Sequence, residues 1–315
     1  MGVFNLISRN GTRIIALSAG AGLLLPDLAS MLRPYIGNFV VTMLIVSMLR
    51  VDFTAFVARL RRPAIALVSA TWITLVVPLV VLGLVAALGG PYATPVVLTV
   101  LFLFSAPPPI VSAPAFALLM GLDGALVLTV MLCATIAMPL TAPWIASLFV
   151  AETLPISAQD LALRLALMIA TGFVVAGVLR KALGGERIAK AKPLLDTVSV
   201  AIAILFAIGA MDGVGARLLE EPLFTLGAAA IAFGYMLAQV AVTYLTFRPF
   251  VGVDAVAIAY AAGNRNAGLV VAGLGVTAVD DTVWLFFALS QLPVFIFPLV
   301  LKPIGQRLTR ALGNT

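Results

Sequence analysis

The chain has no histidine and one cysteine, Cys133, and only 10% of its 315 residues are charged. Without histidine there is no imidazole to exchange protons near neutral pH, no histidine metal ligand and no Ser-His-Asp arrangement. The lone cysteine can form neither an intrachain disulfide nor a cysteine metal site. It sits in an apolar run and reads as a small side chain in a packed helix. The shortage of charge accompanies 63% hydrophobic residues. A soluble globular chain is roughly half apolar and about a quarter charged, so this chain carries more apolar surface than one water-surrounded core can hide. The excess has to face lipid, and ~20 apolar residues suffice for one helix to cross a bilayer.

The net charge is +6, which by itself would suit a nucleic-acid partner. The distribution argues against one, because the basic residues lie in short loops between apolar runs, where they orient membrane proteins. The first 30 residues resemble a signal peptide, with Arg9 and Arg13 ahead of Ile14 to Leu25. No small-x-small site follows, and Pro26-Asp27 leads into further apolar sequence, so the segment reads as a first span.

Apolar stretches separated by charged or Gly/Pro breaks predict ten spans: 13–32, 35–51, 63–89, 94–120, 122–150, 160–181, 194–213, 222–247, 252–278 and 281–303. With a cytoplasmic N-terminus, Arg33, Arg164 and Arg217 fall in outside loops and Arg265 falls within a span. All other Lys and Arg lie inside. That bias places both termini in the cytoplasm of a cell inner (plasma) membrane. The outside loops carry acids instead: Glu152, Glu220, Glu221, Asp280 and Asp281.

The polar segment 151–159 divides the chain into residues 1–150 and 160–315, with five spans each. An odd number of spans per half inserts the halves in opposite senses, the inverted-repeat plan common in secondary transporters. Pro139 and Pro293 correspond at the same offset that relates Ser112 to Asn266. The predicted fold class is therefore an all-α polytopic membrane protein with two inverted five-helix repeats.

Two spans carry interruptions. Span 4 contains Pro107-Pro108-Pro109, then Ser112-Ala113-Pro114, and consecutive prolines have no N–H and clash with the preceding turn. Span 9 contains Gly263-Asn264-Arg265-Asn266 at its middle. Backbone released at such breaks must be buried in protein or line a wet cavity, and matching broken spans point to a transporter binding site. Arg265 lies too deep to snorkel, and a central charge costs at least ~2.5–3.5 kcal/mol. No acid falls in the middle of a span; Asp123, Asp196, Asp212 and Asp254 all lie near ends. Arg265 is then held by released carbonyls, by an anionic solute, or by both. The candidate substrate-binding set is Arg265, Asn264, Asn266, Ser112, Pro108, Pro109, Ala113 and Gly263. Thr129 and Thr135 are further candidates for the same cavity, while Gln239 and Gln291 read as glue between helices.

The sequence resembles the bile acid:sodium symporter family in its bacterial ten-span form. The resemblance covers nearly the whole chain and rests on Leu25-Pro26-Asp27, Arg62-Pro63, Ala106 to Ala113, Asp123-Gly124-Ala125-Leu126, Pro139 with Pro143, and Gly263 to Leu269. It implies a panel domain of spans 1, 2, 6 and 7, a core domain of spans 3–5 and 8–10, and spans 4 and 9 crossing within the core. The family's span 9 motif, Glu-x-Gly-x-Gln-Asn, is altered: Ala261 stands at the Glu position and Arg265 at the Gln position, while Gly263 and Asn266 remain. In span 4, Pro108-Pro109 replace the family's glycines, Ser112 is kept, and Ala113 replaces the Asn. The resemblance makes the Glu, Gln and Asn sodium ligands, and all three are missing.

A sodium ion would not settle beside a guanidinium. The expectation is a transporter of a small organic anion, a carboxylate or sulfonate, coupled to protons or to no ion rather than through the family's two sodium sites. A transport-inactive sensor or regulatory protein of the same fold is the alternative. With no histidine, no paired intramembrane carboxylates and no activated nucleophile, an enzyme is not expected, nor a cofactor.

Overall fold

In the computed structural model the backbone is described for residues 3–51 and 63–313, and side chains for 14–51 and 63–297. Arg59, Arg61 and Arg62 lie outside the described residues, as do the side chains of Arg9, Arg13, Lys302, Arg307 and Arg310. The described chain is 85% helical, with no strands.

The helices in order are α1 (Val3–Leu24), α2 (Pro26–Leu32), α3 (Ile36–Arg50), α4 (Ala64–Thr71), α5 (Val77–Leu88), α6 (Pro95–Ser105), α7 (Ala113–Leu119) and α8 (Gly124–Phe149). After the 151–157 segment come α9 (Ala158–Leu183), α10 (Gly185–Lys190), α11 (Lys192–Ala210), α12 (Val214–Glu220), α13 (Pro222–Val251), α14 (Asp254–Gly263), α15 (Ala267–Leu274) and α16 (Asp281–Gly313).

Local chemistry sets the starts. The Thr94 hydroxyl accepts from the Val97 N–H, the Asp123 carboxylate from Leu126 at 2.9 Å, and the Ser157 hydroxyl from Asp160 at 3.0 Å, capping α6, α8 and α9. At the other end of α3, Arg180 Nη2 donates to the carbonyls of Leu49 (2.6 Å) and Val51 (3.0 Å), groups that no later turn can satisfy.

Among the described residues, six helical segments are long and apolar enough to cross a membrane: Pro26–Arg50, Ala64–Leu88, Gly124–Phe149, Ala158–Leu183, Lys192–Glu220 and Pro222–Val251. Shorter apolar helices, Ile14–Leu24, Pro95–Ser105, Asp254–Gly263 and Asp281–Phe297, fall in the other predicted spans. The outward faces of the long helices are apolar; Leu163, Leu167, Val174 and Val178 on α9 and Leu226, Ile231, Val242 and Leu245 on α13 are all exposed. An apolar stripe that continuous on a folded surface belongs against lipid.

One group of packed helices joins α1 to α11 and α3 to both α9 and α11. Another joins α4, α7 and α14 to α8, and α14 and α16 to α13. The groups meet where α8 lies on α9, α16 on α1, and α15 on α3. At Gly22 in α1 the backbone of α11 comes so near that a Cβ would stand 2.7 Å from the Ile208 carbonyl oxygen, the kind of approach small residues permit between membrane helices.

Candidate functional site

Both predicted interruptions are real breaks, and they lie against each other. Helix α6 stops at Ser105 and α7 starts at Ala113, while α14 stops at Gly263 and α15 starts at Ala267. The extended pieces between them run antiparallel and pair at Pro109 and Arg265. The Ile110 N–H donates to the Asn264 carbonyl, and the Asn266 N–H to the Pro108 carbonyl, both at 2.8 Å. The unit is a two-bond scrap of β-ladder inside a helical protein.

The prolines decide which carbonyls need partners. A helical carbonyl accepts from the N–H four residues on, and Pro108 has none, so the carbonyl of Phe104 is left over. Gln239 of α13 fills it, donating from Nε2 at 3.1 Å. The Gln239 Oε1 in turn accepts from Arg265 Nε at 2.9 Å. Arg265 Nη1 donates to two more released carbonyls, Pro107 at 3.0 Å and Ile73 at 2.8 Å. The Val111 carbonyl accepts from the Ser47 hydroxyl of α3 at 3.2 Å.

Ile73 is available for a separate reason. Between α4 and α5 the helix widens into a π turn, Trp72–Val76, where the Val77 N–H bonds to Trp72. The next donor would be residue 78, which is Pro78. The Ile73 carbonyl therefore lacks a helical donor and turns to the guanidinium. A single π turn at a functional position is a recurrent device. The sequence reading missed it, although Pro78, five residues after Ile73, is the signal that marks it.

Arg265 is 5% exposed. Of its five N–H donors, Nε and Nη1 are engaged, all with neutral acceptors, and Nη2 is buried without a partner. The Oδ1 of Asn264, whose Nδ2 donates to the Tyr260 carbonyl at 2.9 Å, is also unmatched, and the buried Tyr235 hydroxyl lies beside Gln239 and Ser105 without a well-aligned bond. A pocket of about 30 Å³ nearby is lined by Arg265, Tyr235, Gly263, Ser290, Phe104 and Leu103 among others.

The candidate residues divide by position. Pro108, Pro109, Asn264, Arg265 and Asn266 form the paired crossing. Gly263 precedes it, and a Cβ there would lie 2.4 Å from Val240 Cγ2, so glycine is what lets α14 approach α13. Ala113 is buried at the start of α7 and Ser112 is half-buried beside it, one turn beyond the pairing and outside the Arg265 network. Thr129 and Thr135 bond back to Ala125 and Met131 in their own helix, as membrane threonines commonly do. Gln291 does not bridge helices: its Nε2 donates to Phe287 and Ser290 of α16. Gln239 does bridge, and it belongs to the site.

The fold and site define the class: an all-α membrane protein whose two interrupted helices cross around a buried, carbonyl-held guanidinium. No protein-family model matches the chain, and no curated protein matches it.

Proposed function

We propose that this chain is a secondary transporter of a small organic anion, a divergent relative of bile acid:sodium symporters that works without the family's two sodium sites. The observation that carries this reading is a full positive charge at the crossing of two broken helices, neutralised by no carboxylate among its hydrogen-bond partners. A fixed charge in a low-dielectric surround favours an anion nearby. Carbonyls that would suit a metal cation are here occupied by a cation on the chain itself, so no sodium is needed to hold the crossing together.

The ten-span inverted repeat is part of the proposal. If span 1 corresponds to span 6, and so on to spans 5 and 10, the helix pairs should exchange in packing. The observed pairs are consistent with this. α1 on α11 answers α9 on α3; α8 on α9 answers α16 on α1; α4 on α8 answers α13 on α16. The half-helices follow suit, α7 on α14 answering α15 on α6. Such a plan supports rocking of a core group (spans 3–5 and 8–10) against a panel group (spans 1, 2, 6 and 7) in an inner membrane, with both termini in the cytoplasm.

Uptake of labelled carboxylates and sulfonates into proteoliposomes, with and without sodium or a proton gradient, tests the reading. We expect saturable uptake that ignores sodium and is lost in Arg265→Gln. Sodium-dependent uptake lost in that variant would overturn the coupling argument. Anions that stabilise the protein but never cross would identify a sensor instead.

A further inference from the structure

We infer that the structure is the closed state of a gate. On the face that carries Asp212 and Asp281, two arginines and a tight helix seam lock one helix group onto the other, and the seam must part before solute reaches the crossing from that side. The inference rests on the transporter reading and deepens it by naming the residues that hold one face shut.

Arg33, in the turn between α2 and α3, reaches three groups. Its Nη1 stands 3.2 Å from Asp212 Oδ2, its Nη2 stands 4.0 Å from Asp281 Oδ1, and its guanidinium lies over the Trp284 ring. Asp212 follows α11 in one helix group, whereas Asp281 and Trp284 belong to α16 in the other. Arg164 of α9 makes a second crossing. Its Nη1 donates to the Gly273 carbonyl near the end of α15 at 3.4 Å, where a cation also suits the helix dipole. At the opposite face Arg50 directs its charge within one group, to Asp196 at 2.6 Å and Ser199 at 3.4 Å, both on α11.

Beneath these contacts the packing is close. A Cβ on Gly268 would stand 3.1 Å from Phe206 and 3.2 Å from Val40, and one on Gly273 would stand 2.9 Å from Leu165. Phe206, Val40 and Leu165 are all buried and come from α11, α3 and α9. Three helices of one group are thus seated on α15 of the other. α7, the counterpart of α15 in the proposed repeat, packs chiefly on α8 and α14 of its own group, and its Leu118 and Leu119 are exposed. Among the described residues the seam between groups is therefore dense around α15 and sparser around α7. Alternating access needs that asymmetry in any state open to one side only.

The seam offers a direct lock. A Cβ on Gly37, at the start of α3, would lie 3.6 Å from the Ala272 Cβ of α15, a separation that a disulfide bridges. In the full-length chain with Cys133→Ala, Gly37→Cys together with Ala272→Cys should cross-link on mild oxidation. The readout is loss of maleimide-polymer labelling after denaturation, and its return with reductant. Oxidation should abolish uptake of labelled acetate, benzoate and methanesulfonate into proteoliposomes, reductant should restore it, and neither single variant should respond to oxidant. A second readout needs no transport. Val40→Cys should react slowly with maleimide in open membrane fragments, and about tenfold faster when Arg33 and Arg164 are both replaced by Ala, since the contacts that hold the seam are lost. A pair that does not cross-link, uptake that continues through the cross-linked pair, or an unchanged Val40→Cys rate in the arginine variant would each overturn the gate. Faster labelling in a protein that takes up none of the solutes would keep the parting seam and discard the transporter reading.

Discussion

Arg265 shows how one residue closes several accounts at once. Its Nε and Nη1 satisfy Gln239, Ile73 and Pro107, and Gln239 carries the chain on to Phe104. Removing Gln239 therefore orphans two buried groups, the Arg265 Nε–H and the Phe104 carbonyl. Each orphan costs about 1–3 kcal/mol, so Gln239→Ala should lower the melting midpoint markedly, whereas Gln291→Ala, which breaks only bonds within α16, should lower it less. Equal losses in the two variants would mean the network contributes nothing. The depth and isolation of Arg265 were legible in the sequence, because a charge in the middle of an apolar run stands out. Its partners were not, because most are backbone carbonyls. A carbonyl carries no letter of its own and shows only through a missing donor further on, at Pro108 for Phe104 and at Pro78 for Ile73.

At the level of elements, breaks were easier to read than turns that merely widen. The proline run and the Gly-Asn-Arg-Asn stretch announce where α6 and α14 end, and the structure puts both ends there. The antiparallel pairing of the two extended pieces was not legible, since four residues without alternation give no strand signal. The π turn before Pro78 makes a sharp prediction. Replacing a helical proline ordinarily stabilises by up to ~3 kcal/mol. Here Pro78→Ala supplies an N–H that competes for the carbonyls around Ile73, so it should destabilise the protein, and the penalty should vanish when Arg265 is also Gln. A penalty that persists in the double variant would disconnect the π turn from the guanidinium. Likewise Gly263→Ala should cost about 1–3 kcal/mol by overpacking, because the added methyl meets Val240, and Val240→Ala should restore much of the loss in thermal melts.

For the whole molecule, orientation and the joining of helix groups are the open measurements. Single cysteines in the 151–157 segment, in a Cys133→Ala background, should react with an impermeant maleimide in intact cells, and cysteines in the 184–191 segment should react only after permeabilisation. The reverse pattern would invert the topology. On the face that carries Asp212 and Asp281, Arg33 Nη1 stands 3.2 Å from Asp212 and its guanidinium lies 4.1 Å over the Trp284 ring, while Trp284 Nε1 donates to the Asp212 carbonyl at 2.9 Å. These contacts tie the turns after α2 and α11 to α16. A partly exposed ion pair and a cation–π contact contribute about 1–2 kcal/mol together, so Arg33→Ala should be a mild variant in melts. Its larger effect should appear in transport rate, if the two helix groups move against each other.

The pairing of the two broken helices has a consequence for synthesis. Pro107 and Arg265 are 158 positions apart, and at 5–20 residues per second the ribosome needs roughly ten to thirty seconds to bridge that interval. Throughout that time the nascent first half holds proline-released oxygens inside the translocon's lipid surroundings with their eventual donor still unmade. Expressed alone, that half should be a prompt substrate for membrane quality-control proteases, and supplying the second half in trans should rescue it.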